Sequence, residues 1–160
     1  MREISAVRSR HVVSNMTMKT IVLLLALLIV LPGPALASSA SEDAQRFGIE
    51  EMKKQRFRAA LRFFTRAIKL GEMKGEEAAG VHLNRGISYH ILGKYKKAIA
   101  DYNAALKFRP NYAYAYNNRG WSYEKLGKRK LAIRDYRRAL KIDPTLRRPK
   151  DNLVRLGEKP

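Results

Sequence analysis

Two histidines, His82 and His90, two serines, Ser88 and Ser122, and two aspartates, Asp101 and Asp135, have side chains suited to metal binding or hydrolysis. Their spacing argues against both. His82 and His90 are eight residues apart, about 12 Å along one helix, too far to share a metal ion. No carboxylate pair lies within a helical step of either, and neither serine has an evident base with an orienting partner. Ser88 and Ser122 are 34 residues apart, as are Asp101 and Asp135, so recurrence explains them better than chemistry does. The glycines are spread along the chain instead of gathered in a phosphate-binding loop. With no cysteine in 160 residues, disulfides, Cys-ligated zinc or iron–sulfur sites, a thiol nucleophile and a lipidated cysteine are excluded. The chain reads as a non-enzyme with no catalytic residue, metal, cofactor or small-molecule substrate.

The recurrence itself is the informative feature. Residues 81–112 align without a gap on residues 115–146, an offset of 34. Asn84, Arg85, Gly86, Tyr89, Gly93, Ala98, Tyr102, Ala105 and Pro110 recur as Asn118, Arg119, Gly120, Tyr123, Gly127, Ala132, Tyr136, Ala139 and Pro144. A degenerate third copy lies upstream at an offset of 38, where Phe47, Gly48, Phe57, Ala60, Phe64 and Ala67 answer Arg85, Gly86, Tyr95, Ala98, Tyr102 and Ala105. The four additional residues, within 71–78, are expected to lengthen the turn between repeats, with a short helical turn over Glu72 to Lys74 as the alternative. Repeats are placed at 41–74, 79–112 and 113–146.

Each repeat is expected to be two antiparallel helices. Gly93 and Gly127 end the first helix, where a left-handed residue is cheapest for glycine. Pro110 and Pro144 stop the second, with Asn111 and Thr145 as caps for the next helix. Gly86 and Gly120 fall inside the helical pattern, where glycine costs about 1 kcal/mol relative to alanine. That cost predicts close helix approach, with Ala98 opposite Gly86 and Ala132 opposite Gly120 while Tyr89, Tyr102, Tyr123 and Tyr136 fill the wider gaps. A short amphipathic helix at about 149–156, with Leu153 one 34-residue step beyond Arg119, is expected to cap the array.

A 34-residue period with small residues at these sites resembles the tetratricopeptide repeat family. The resemblance implies an all-α, right-handed superhelical solenoid of antiparallel helix pairs with a capping helix. It also implies that first helices line a concave groove binding a peptide segment or partner protein. Carried over residue by residue, that groove would comprise Gln45, Ile49, Leu83, Asn84, Ile87 and His90, then Tyr114, Asn117, Asn118, Trp121 and Lys125. Trp121 is the only tryptophan, with packing against the terminal helix as its other reading. One variant of the family clamps a C-terminal carboxylate with two lysines, an arginine and two asparagines. Here only Asn84 matches; Gln45, Ile49, Tyr114 and Asn118 occupy the other positions, so that clamp is absent.

Charge marks a second surface. There are 33 Lys plus Arg against 14 Asp plus Glu, a formal net charge of +19. Arg134, Arg137, Arg138 and Lys141 lie on a second helix, whose free face is convex in the family. A field of this sign attracts acidic proteins and anionic surfaces, which gives the alternative function: a structural or self-associating envelope adaptor engaging acidic partners or anionic membrane or polymer. Nucleic-acid motifs are missing, and an uncovered first repeat would be the end at which copies pair. Arg2, Arg8, Arg10 and Lys19 precede an apolar run at 21–31 that Pro32-Gly33-Pro34 breaks, followed by Ala35-Leu36-Ala37. That is the pattern of an export signal over residues 1–37, leaving a 38–160 repeat domain in the periplasm. Secretion, cleavage after Ala40, an uncleaved anchor, and a start at Met16 or Met18 remain as alternatives.

Overall fold

The computed structural model describes residues 39–160; residues 1–37, where an export signal is expected from the sequence, lie outside them. The described chain holds seven helices and no strand: α1 (Ala40–Lys53), α2 (Phe57–Leu70), α3 (Gly75–Ile91), α4 (Tyr95–Phe108), α5 (Ala113–Lys125), α6 (Arg129–Ile142) and α7 (Arg147–Arg155). α1/α2, α3/α4 and α5/α6 pack as pairs, each second helix packs on the next first helix, and α7 lies on α6. This is the expected all-α solenoid with its cap.

Local signals set the ends of these helices. Ser39 opens α1 with a capping box: its hydroxyl accepts from the Glu42 amide, and the Glu42 carboxylate accepts from the Ser39 amide. Gly93 and Gly127 sit at φ 71° in the turns within the second and third pairs. The first pair places Gln55 at the same point, at φ 57°, where a side chain carries a steric cost. Asn111 and Thr145 are not the caps: Tyr112 and Leu146 hold those positions without a side-chain bond. Thr145 instead donates its amide and hydroxyl to Asp143, at 2.9 and 2.6 Å. A local aspartate turn satisfies that backbone before α7 begins.

The four inserted residues do not lengthen a turn. Residues 71–74 connect α2 to α3, and residues 109–112, equally many, connect α4 to α5. The insertion is absorbed by α3, which has 17 residues against 13 in α5. Four residues make one further helical turn, so the register of its packed face is kept.

Packing between paired helices turns on an aromatic ring set into a glycine notch. A Cβ at Gly48 would stand 2.6 Å from the Phe64 ring, one at Gly86 2.6 Å from Tyr102, and one at Gly120 2.9 Å from Tyr136. Ring contact, not alanine side-chain contact, is therefore what each glycine permits, although a Cβ at Gly120 would also stand 3.2 Å from the Ala132 carbonyl. Phe64, Tyr102 and Tyr136 are buried, and Ala60, Ala67, Ala98, Ala105, Ala132 and Ala139 are fully so. Tyr89 and Tyr123 pack at the margins of these cores. Leu153 of α7 closes the last core against Ala132, Ile133 and Tyr136.

Gly86→Ala is expected to destabilise the protein by about 1–3 kcal/mol through overpacking against Tyr102. Gln55→Gly is expected to stabilise it by about 1 kcal/mol by relieving the left-handed residue. Urea unfolding followed by circular dichroism measures both; equal midpoints for Gly86→Ala and wild type would contradict the notch.

Candidate functional site

α3, α5 and α7 enclose a groove with two lobes. One has a volume of about 470 Å³ between Ile87, His90, Ile91 and Trp121 on one side and Asp151 and Asn152 of α7 on the other. The second, of about 410 Å³, lies between Leu83, Tyr112 and Tyr114 and the start of α7 at Arg147 and Pro149. Both lobes share Ile87, Asn117, Asn118 and Arg148, so they adjoin. Tyr114 and Trp121 are 56% and 40% exposed, which leaves large ring surface for a ligand.

A polar layer supports the groove. His90 is buried, with Nδ1 2.8 Å from the Ser122 hydroxyl, and its ring lies 4.1 Å from that of Trp121. Burial, and then the charge of Lys125, hold its pKa below the ordinary histidine value. Asn117 donates to Asn118 and accepts from Asn152 of α7, both at 3.4 Å. Arg155 grips Glu124 with two hydrogen bonds, at 2.6 and 2.9 Å, and Tyr136 donates to the same carboxylate at 3.0 Å. These bonds hold the Glu124 carboxyl below its ordinary range despite partial burial, the Arg155 bond most strongly. The wall contributed by α7 is thus tied to α5 by a charged clamp and an amide bridge.

Of the residues named for the groove, Leu83, Ile87, His90, Tyr114, Asn117, Asn118 and Trp121 border it. Gln45 and Ile49 border neither lobe; Ile49 packs on the core of the first pair. Asn84 and Lys125 are also outside the lining. Arg148, Asp151 and Asn152, on the cap, were not anticipated as groove residues. A signal for one of them existed: Asn84, Asn118 and Asn152 are spaced by 34.

Behind the groove, the recurring arginines and aspartates prove to be partners. Arg85 holds Asp101 with two bonds, at 2.8 and 2.7 Å, and Arg119 holds Asp135 likewise, at 2.7 and 2.9 Å. The remaining arginine nitrogen reaches back to the preceding second helix, to Thr65 at 3.4 Å and to Asn103 at 2.6 Å. His82 adds a 3.1 Å contact to Asp101. Burial pushes the Asp101 carboxyl up, but hydrogen bonds and charge from His82 and Arg85 outweigh it and leave the pKa lowered. In the first pair the equivalent residues are Phe47 and Phe63, whose rings meet at 5.7 Å. Among the described residues no group of three His, Asp or Glu is placed to hold a metal ion.

A TPR repeat model matches residues 86–127, and a tetratricopeptide repeat model matches residues 113–146. Together these matches make residues 86–146 similar to the tetratricopeptide repeat family. Solved structures of the same fold include the Arabidopsis OM64 TPR domain, at 29% identity over 74% of this chain and 95% of that one, with TM-score 0.70. The second TPR domain of human RPAP3, in complex with the HSP70 peptide SGPTIEEVD, is 25% identical over 79% and 100% of the two chains, with TM-score 0.65. The first TPR of Spaghetti (RPAP3), bound to the HSP90 peptide SRMEEVD, shares the fold at 23% identity, over 78% and 96%, with TM-score 0.69. No curated protein matches. Tetratricopeptide repeats are in general non-enzymatic scaffolds for protein interaction.

Asp135→Ala leaves the largely covered Arg119 without its carboxylate and is expected to cost about 3 kcal/mol in urea unfolding. The depressed His90 pKa has a definite sign. The unfolded state binds the proton first, so stability rises with pH up to the unfolded value near 6.5 and falls below it. Emission of the single tryptophan, whose ring lies tilted against His90, is expected to titrate below pH 6.5 and to lose that inflection in His90→Gln.

Proposed function

We propose that the two-lobed groove binds an extended segment of a partner protein. The observation that carries this reading is the juxtaposition of exposed rings, Tyr114 and Trp121, with the side-chain amides of Asn117 and Asn118 along one cleft. Rings supply burial at low conformational cost, and amides can both donate to and accept from a peptide backbone. Solved tetratricopeptide repeat domains of the same fold hold peptides ending in EEVD, which supports the peptide class of ligand. The carboxylate clamp is not the means of recognition here, because Gln45, Ile49, Tyr114 and Asn118 stand at its positions. Arg148, at the junction of the lobes, favours a ligand carrying an acidic group.

Export is part of the proposal, on the strength of the basic flank, apolar run and small-x-small site within residues 1–37. The partner would then be an envelope protein, and an alkaline-phosphatase fusion active only outside the cytoplasm tests that placement.

Peptides selected from a displayed random library on the full chain test the groove. They are expected to lose about tenfold or more in affinity on Trp121→Ala, to shift tryptophan emission, and to bind Arg134→Glu normally. SRMEEVD is expected to bind no tighter than about 1 mM. Selected peptides indifferent to both Trp121→Ala and Tyr114→Ala would place the binding surface elsewhere.

A further inference from the structure

The second helices carry a basic stripe with a single carboxylate within ion-pair distance of it. Arg58, Arg62, Arg66 and Lys69 on α2 recur in register as Lys130, Arg134, Arg138 and Lys141 on α6. α4 keeps the two ends of the stripe, Lys96 and Lys107, with Ala100 and Ala104 between them. All ten cations are exposed, and no acid stands at any of these positions. Only Arg134 lies within ion-pair distance of a carboxylate, 3.9 Å from Asp135. On α1 and at its C-cap, by contrast, Arg46, Lys53 and Lys54 each have an acidic partner one helical step away. Like charges at i and i+4 destabilise a helix, and α2 and α6 each bear them at two successive steps.

A second row runs beside the first. The residue after each terminal lysine is apolar: Leu70 follows Lys69, Phe108 follows Lys107, and Ile142 follows Lys141. Leu70 and Phe108 are 40% and 47% exposed. Phe108 also borders an apolar recess of about 280 Å³, lined by Ala67, Ile68, Met73 and Ala78. Lysines alternating with exposed aliphatic and aromatic groups along one edge combine the two forces that hold a protein on a charged bilayer.

We propose that this edge docks on an anionic lipid surface, with Lys69, Lys107 and Lys141 at the headgroup phosphates and Leu70 and Phe108 entering the headgroup–acyl boundary. A nucleic acid would use the cations but gain nothing from Leu70 or Ile142, which cannot stack on bases. No helix among the described residues is long and apolar enough to cross a membrane, so the contact is peripheral. None of the ten cations, and neither Leu70 nor Phe108, lines the groove. The two surfaces therefore stand or fall separately.

The test is flotation of the full chain with vesicles of phosphatidylcholine alone and with about a quarter phosphatidylglycerol. The apolar run at 21–31 is common to every variant, so the excess on anionic vesicles is the quantity read. That excess is expected to be about tenfold, to fall with salt, and to vanish in the Lys69→Glu, Lys107→Glu, Lys141→Glu triple variant. Triple Lys→Gln at the same positions serves if charge reversal disturbs folding. Leu70→Ser with Phe108→Ser is expected to reduce the excess by about threefold or more while leaving binding to duplex DNA unchanged. Phe108→Trp in a Trp121→Phe background is expected to be quenched by brominated lipid only in the anionic vesicles. Anionic binding unaffected by the charge variants, absence of quenching, or tighter binding to duplex DNA than to anionic vesicles would each overturn the proposal.

Discussion

The array rests on one steric arrangement repeated three times: an aromatic ring of the second helix occupying the space that a side chain would fill on the first. Phe64 lies over Gly48, Tyr102 over Gly86 and Tyr136 over Gly120, each too close for a Cβ at the glycine. The ring buries a large apolar area, while glycine in a helix gives up about 1 kcal/mol of intrinsic helix propensity. Burial of this kind exceeds that cost. Because the notch is filled by a rigid ring, the angle and register of each pair are set together. Adjacent pairs then present equivalent residues in equivalent directions, which is what allows both a groove and a charged edge to be assembled from short repeats.

A second device acts between pairs. Arg85 and Arg119 each hold an aspartate on their own second helix and reach the preceding second helix with the remaining nitrogen. A buried charge pair of this kind adds little net stability over a well-packed apolar pair, but it is directional and joins three helices at once. The first pair has no preceding helix among the described residues, and there the positions hold Phe47 and Phe63. The substitution fits the location, since an arginine would have lacked its third partner. It leaves Phe47 half exposed.

The cap contributes more than closure of the core. Leu153 buries the final seam, and the same helix supplies Arg148, Asp151 and Asn152 to the groove. The packing of the cap and the shape of the groove are thereby coupled at α7, through the Arg155–Glu124 clamp and the Asn117–Asn152 bridge.

The amino-acid order by itself determined the periodicity, the helix pairs, the left-handed turns at Gly93 and Gly127, and the close approach at Gly86 and Gly120. All of these are local or recur at a constant interval, so each copy testifies for the others. Tertiary structure alone decided what lies across from each residue. It placed a ring, not an alanine, on each glycine; joined Arg85 to Asp101 and Arg119 to Asp135; and put the four inserted residues into α3 instead of a loop. It also moved the groove toward α7 and away from Gln45 and Ile49. Spacing along one helix says which residues share a face, whereas the partner across the interface depends on how two helices cross and how far the stack continues.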